Sequence, residues 1–167
     1  MKHLLLLAIA IFSFQCSEDL DPITLNASQF VEVVKNNEYD ADVLPPFKAD
    51  DITILLTGAQ NNQQVSTFVV NPISSYRQAS FTLTESMLWT IEAIRLDSDP
   101  DDNLLPLPSL APKLRKRDAQ DNLVFATEED YVLAYEAYND WWNDQATPSF
   151  EEKKKVNPLE NLNLFWF

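Results

Sequence analysis

Residues 82–97 read TLTESMLWTIEAIRLD, and the reading of this stretch decides the fold. Thr82 with Glu85 three residues on is a capping-box signature, in which hydroxyl and carboxylate each accept from the other residue's amide. From there apolar residues recur at helical spacing. Leu83, Met87, Ile91 and Ile94 share one face, and Trp89, Ala93 and Leu96 line much of the other. Only Glu85, Glu92 and Arg95 interrupt them, as one narrow polar strip. A helix apolar on nearly every side must be covered on nearly every side, so this segment is expected to be the central, most buried element. Arg95 stands three residues after Glu92, which predicts a structural ion pair along the strip.

The flanking sequence supplies the cover. Upstream, Asn26 with Gln29 caps a first helix whose stripe is Phe30, Val33 and Val34, ending near Asn36. YDADVLPPF (39–47) cannot continue it, because Pro45 and Pro46 lack amide donors. A second helix fits Asp50–Thr57, with Gly58, the only glycine, where a left-handed cap is wanted. VSTFVV (65–70) reads as a short strand and NPISSY (71–76) as turn chemistry. Downstream lie the acidic DSDPDDN, the proline-spaced LLPLPSLAP as an extended, packed arm, and the basic KLRKR (113–117). NLVF (122–125) is a second possible strand. Thr127 and Asp130 open a helix to about Gln145 carrying Tyr131, Ala134, Tyr135, Tyr138, Trp141 and Trp142. Ser149 with Glu152 caps a last helix that stops before Asn157-Pro158, and the tail NLFWF is too apolar to float free. The expectation is a mostly α single domain over 26–167: about five helices, long proline-rich ordered loops and at most a small two-stranded hairpin.

The first residues give an address. Leu4–Phe14 is an apolar run broken only by Ser13, the length of a signal-peptide core and too short to span a bilayer about 30 Å thick. The sole cysteine, Cys16, follows it after Gln15 alone. This arrangement resembles a bacterial lipoprotein signal, in which the thiol is diacylated after the chain is cut before it. Ser13 and Gln15 match the usual box only loosely. Ser17, Glu18, Asp19 and Asp21 resemble the acidic export tract that directs such lipoproteins to the cell surface. The expected organisation is a signal peptide over 1–15, a lipidated tether over 16–25 and the domain beyond. Two or three acyl chains hold a protein at a membrane where one does not. The protein is thus expected at the outer membrane, held there by its anchor.

Composition removes chemistries. Cleavage before Cys16 would take the only histidine, His3, and lipid would consume the only thiol. No Ser-His-Asp or Cys-His machinery, no His- or Cys-ligated metal and no disulfide is then expected. The chain carries 26 acidic against 12 basic residues, a formal net charge of −14, which disfavours nucleic acid. One glycine against ten prolines, with no phosphate-cradling motif, argues against nucleotide binding.

NPISSY, LWTIEAIR, NDWWN and NPLENL, taken in order, resemble a small uncharacterised family of Bacteroidetes lipoproteins. The resemblance covers nearly the whole chain beyond Cys16 and implies the same address and a single domain, with no catalytic residue to carry over.

Four constellations remain. Asp97, Asp99 and Asp101, with Asp102 and Asn103, offer hard oxygens suited to calcium, but an EF-hand loop begun at Asp97 would need glycine at 102 and glutamate at 108, where Asp102 and Pro108 stand. The bland reading is a solvated acidic loop. Trp141 and Trp142, about 100° apart on a helix, are candidates for stacking glycan rings, although aromatics at helical spacing are more often core. Glu85 and Glu92 are a carboxylate pair two turns apart, better explained by the Arg95 ion pair than by acid–base work. KLRKR and Lys153–Lys155 are basic islands, read as solvated faces. The expectation is a non-enzymatic, surface-tethered interaction or accessory module with an unknown protein or glycan partner, no nucleic acid and no nucleotide. The rival is a small glycan-binding surface lipoprotein.

Overall fold

The computed structural model describes residues 21–75, 80–99, 104–147 and 149–167. Residues 1–15, expected to be a signal peptide, and Cys16, Ser17, Glu18, Asp19 and Asp101 lie outside the described residues. The central helix α3 runs Leu83–Leu96. Its capping box is closed both ways: the Glu85 amide donates to Thr82 Oγ1 at 3.1 Å, and the Thr82 amide to Glu85 Oε2 at 2.8 Å. Every residue from Leu83 to Ile94 is buried. The polar ones spend their donors internally, since Ser86 and Thr90 hydroxyls donate to the carbonyls of Thr82 and Ser86, and Thr84 donates to the Ala59 carbonyl. Leu96, expected on a covered face, is exposed at the helix end.

Around α3 pack α1 (Ala27–Lys35), α2 (Ile52–Ala59) and α4 (Glu128–Asn143), with the short α5 (Phe150–Lys153) beyond. Three of the four predicted caps form boxes with the expected partners; Ser149 accepts from the Glu152 amide. Helix α1 ends in a Schellman motif. Asn37 takes φ 61°, its amide donates to Val34 O, and the Glu38 amide donates to Val33 O. Gly58 does not cap α2 in the left-handed region, because the helix continues through it to Ala59. Its role is closeness: a Cβ there would lie 3.0 Å from both Val31 methyls and 3.4 Å from Met87 Cγ.

The strands exceed the single hairpin expected. β1 (Gln64–Val65) pairs antiparallel with β2 (Phe81–Thr82). A separate antiparallel sheet has the order β4-β3-β5, from β3 (Leu114–Arg117), β4 (Leu123–Phe125) and β5 (Leu164–Trp166). Of VSTFVV only Val65 is in a strand, for Phe68 and Val69 both turn toward the core, which strand alternation forbids. Phe68 joins a ring cluster with Phe30, Tyr39, Phe81 and Trp89. The proline-spaced arm is ordered as expected. Leu105 bridges to Leu44, Ser109 Oγ accepts from Trp89 Nε1 at 2.8 Å, and the Leu110 and Ala111 amides donate to Phe167 O. The molecule is thus one small, mostly helical domain with two small sheets. No helix among the described residues is long and apolar enough to cross a membrane.

Candidate functional site

The polar strip of α3 is consumed by the interior. Glu92 accepts from Arg95 Nε at 2.8 Å and Nη2 at 2.6 Å, and from the Tyr138 hydroxyl at 2.8 Å. Tyr138 in turn accepts from Trp166 Nε1 at 3.0 Å, and Arg95 Nη1 donates to Lys154 O at 2.8 Å. The network joins α3, α4, the segment after α5, and β5. Its hydrogen bond to Glu92 raises the Arg95 pKa, while burial, reinforced by the Glu92 charge, holds the Tyr138 phenol far above its ordinary value. At the other end of α3, Glu85 binds Lys113. The two carboxylates that resembled acid–base equipment are both enclosed and paired, as the spacing of Glu92 and Arg95 predicted.

Most cations of the two basic islands are tied down rather than solvated. Lys113 and Lys116 pair with Glu85 and with Asp130, the latter at 2.5 Å. Burial pushes the Asp130 pKa up, but the Lys116 ammonium and the Thr127 donors outweigh it and leave a net depression. Buried Lys153 donates to the carbonyls of Trp141 and Asp144, at 3.1 and 2.5 Å, and so closes the C-terminus of α4. Lys154 reaches the Asp97 carbonyl.

Trp141 is buried, with Nε1 donating to Lys153 O at 2.9 Å; Trp142 is half-buried, with Nε1 on Thr53 Oγ1 at 3.0 Å and its ring against Phe150. They do not form an exposed pair. Asp21 caps a turn of 3-10 helix (Pro22–Thr24) through the Ile23 amide. Asp97 Oδ1 accepts from the Asp99 amide, and no group of three potential metal ligands occurs among the described residues.

Two openings bear on binding. A cleft of ≈ 230 Å³ between α2 and α4 is lined by Gln60, Asn62, Glu128 and Tyr135, where Gln60 Nε2 donates to Tyr135 Oη and Asn62 Nδ2 to Glu128, both at 2.8 Å. A shallow groove of ≈ 470 Å³ runs between α1 and α2 over Val31, Ile54 and Gly58.

The largest departure from expectation is the outer face of the β4-β3-β5 sheet. The register sets Arg115 opposite Phe125 on one side and Phe165 on the other, with Arg117 opposite Leu123. Strand alternation sends all of these to one side, while Leu114 and Leu164 go to the core. Leu123, Phe125 and Phe165 are 47%, 43% and 38% exposed, an apolar patch in a chain of strong negative charge. The sequence contained one signal for this face: NLVF and NLFWF are both short and apolar.

The chain belongs to the family defined by DUF4943, a domain of unknown function, which matches residues 21–167. No curated protein and no solved structure matches it.

Proposed function

We propose that this protein is a non-enzymatic interaction module, tethered at the outer membrane through lipid on Cys16 and presenting the outer face of the β4-β3-β5 sheet to a partner. The observation that carries this reading is the contrast between interior and surface. The buried carboxylates are spent on Arg95 and Lys113, and buried Lys153 on backbone carbonyls, whereas Leu123, Phe125 and Phe165 remain exposed together beside arginine, the composition of an interface core. The family match starts at residue 21, so the apolar run, Cys16, Glu18 and Asp19 precede it, an order compatible with a leader and tether, while Asp21 already caps the first turn of the domain.

A glycan-binding lipoprotein is the second reading. It rests on the α2–α4 cleft, where an aromatic ring stands beside two amides and a carboxylate, rather than on Trp141 and Trp142.

Photo-crosslinking in intact cells tests the first reading. A benzophenone side chain at Phe125 or Phe165 should give a discrete adduct, and one at exposed Val132 on α4 should not. Equal adducts at all three positions, or none, refute it. Cys16→Ser should abolish acylation. Replacing Glu18, Asp19 and Asp21 by alanine should leave acylation intact but protect the chain from protease added outside. Equal digestion of that variant and wild type would reduce the acids to a spacer.

A further inference from the structure

Among the three cations that flank Arg115 in KLRKR, each has an acid: Lys113 has Glu85, Lys116 has Asp130 and Arg117 has Asp121. Arg115 has none among the described residues, although the chain has 26 to offer. Its guanidinium carbon lies 3.8 Å from the centroid of the Phe167 ring and 4.9 Å from that of Phe125. These two rings stand edge to face, 6.0 Å apart at 84°. Its Nε is enclosed and has no hydrogen-bond partner.

Stacking on rings fixes the plane of a guanidinium and leaves its terminal Nη donors to face a partner within that plane. Such a fork is matched to a carboxylate, which it takes bidentately, and little side-chain freedom is left to lose when it does. The surrounding apolar side chains lower the local dielectric and strengthen that bond. We infer that the outer face of the β4-β3-β5 sheet is a docking site for an acidic segment of another polypeptide, with Arg115 receiving one of its carboxylates. This rests on the interaction-module reading and adds the partner's chemistry. A second copy of the chain is the wrong occupant, because two-fold stacking would set one arginine row against another. A sugar would want planar amides beside the rings, and this face offers phenyl, isobutyl and guanidinium groups instead.

The test uses the full-length protein in detergent with isotope-labelled arginine, because the enclosed Arg115 Nε–H exchanges slowly enough to be followed by NMR. The probes are acetyl-Glu-Leu-Glu-Leu-Glu-amide, its glutamine counterpart and trigalacturonate. The acidic peptide should shift the Arg115 signal saturably, and the glutamine peptide should bind at least about tenfold more weakly. Arg115→Lys keeps the charge and loses the fork, and should weaken peptide binding by about tenfold. Lys155→Gln, an exposed cation elsewhere, should change it less than about twofold. Phe125→Leu, which keeps the face apolar but frees one side of the stack, should weaken binding even if Arg115→Lys fails to fold. Equal binding of both peptides, or no shift of the Arg115 signal, overturns the inference. Tighter binding of trigalacturonate than of the acidic peptide also overturns it and assigns the fork to an acidic glycan. If crosslinking at Phe125 succeeds while Arg115→Lys leaves it unchanged, the module reading stands and the carboxylate site falls.

Discussion

Glu92→Ala removes a carboxylate that three donors converge on, and the cost can be worked from what stays behind. Arg95 would remain 10% exposed in its side chain, with the Lys154 carbonyl as its one acceptor there. The Tyr138 hydroxyl would lose its acceptor in the fully enclosed space between α3 and α4. Breaking a buried pair by removing one partner costs about 3–5 kcal/mol, chiefly through the charge left uncompensated. Glu92→Gln keeps the volume and one acceptor oxygen but exchanges charge-assisted hydrogen bonds for neutral ones. Its loss should be smaller, about 2 kcal/mol. Replacing Glu92 and Arg95 together by leucine removes both charges and should cost less than either single loss of charge, since apolar substitutes for buried pairs are often neutral. Urea unfolding followed by far-UV circular dichroism measures all of these, and the cycle gives the coupling directly. A loss below about 1 kcal/mol for Glu92→Ala, or a double variant as unstable as the sum of the singles, would refute the reasoning.

Trp89→Ala should cost about 3–5 kcal/mol by the same melts, because the indole is fully enclosed and its N–H donates to Ser109; under about 1 kcal/mol would make α3 peripheral. Gly58→Ala gains about 1 kcal/mol of helix propensity but presses a methyl against both Val31 methyls at 3.0 Å, so it should be net destabilising by about 1 kcal/mol. In a Val31→Ala background the same change should become stabilising, and a stabilising effect with Val31 in place would show that α1 yields freely. Burial, with Asp40 adding to it, raises the Tyr39 phenol pKa, and Tyr138 is raised likewise. The unfolded chain therefore loses these protons near pH 10 while the fold retains them, so stability is level below that pH and falls above it. Tyr39→Phe should flatten the decline between pH 10 and 11.5 by up to about 1.4 kcal/mol per pH unit; an unchanged slope would mean Tyr39 ionises freely when folded.

The helices were legible because their signals are local. Thr82 with Glu85, Asn26 with Gln29, Thr127 with Asp130 and Ser149 with Glu152 each announce a start within four residues, and α3 carries its burial in its own periodicity. Of the three-stranded sheet only β4 was legible, as NLVF; the pairing was not, because the partners are distant and the central strand is basic. Leu114 is the only apolar residue of β3, so no alternation betrays it, and what the arginines meet is supplied by residues 123–125 and 164–167. The candidate face failed to show for the same reason: Phe125 and Phe165 become neighbours of Arg115 only through register. Gly58 misled because a lone glycine after an apolar run fits a left-handed cap as well as a close helix contact. Only the position of Val31 decides between them.

The placement of β5 governs the order in which the molecule can assemble. Leu164–Trp166 completes a sheet on a strand about fifty residues earlier, and Phe167 O collects the Leu110 and Ala111 amides of the arm that covers Trp89. Trp166 also supplies a donor to Tyr138. Until residues 164–167 pair, the arm lacks two of its anchors, the central helix is incompletely covered and the loop between β3 and β5 is unclosed, with its entropic cost still to be met. The helices, which need only local contacts, can form early and reversibly, and the closed structure waits for residues 164–167 to find their distant partners.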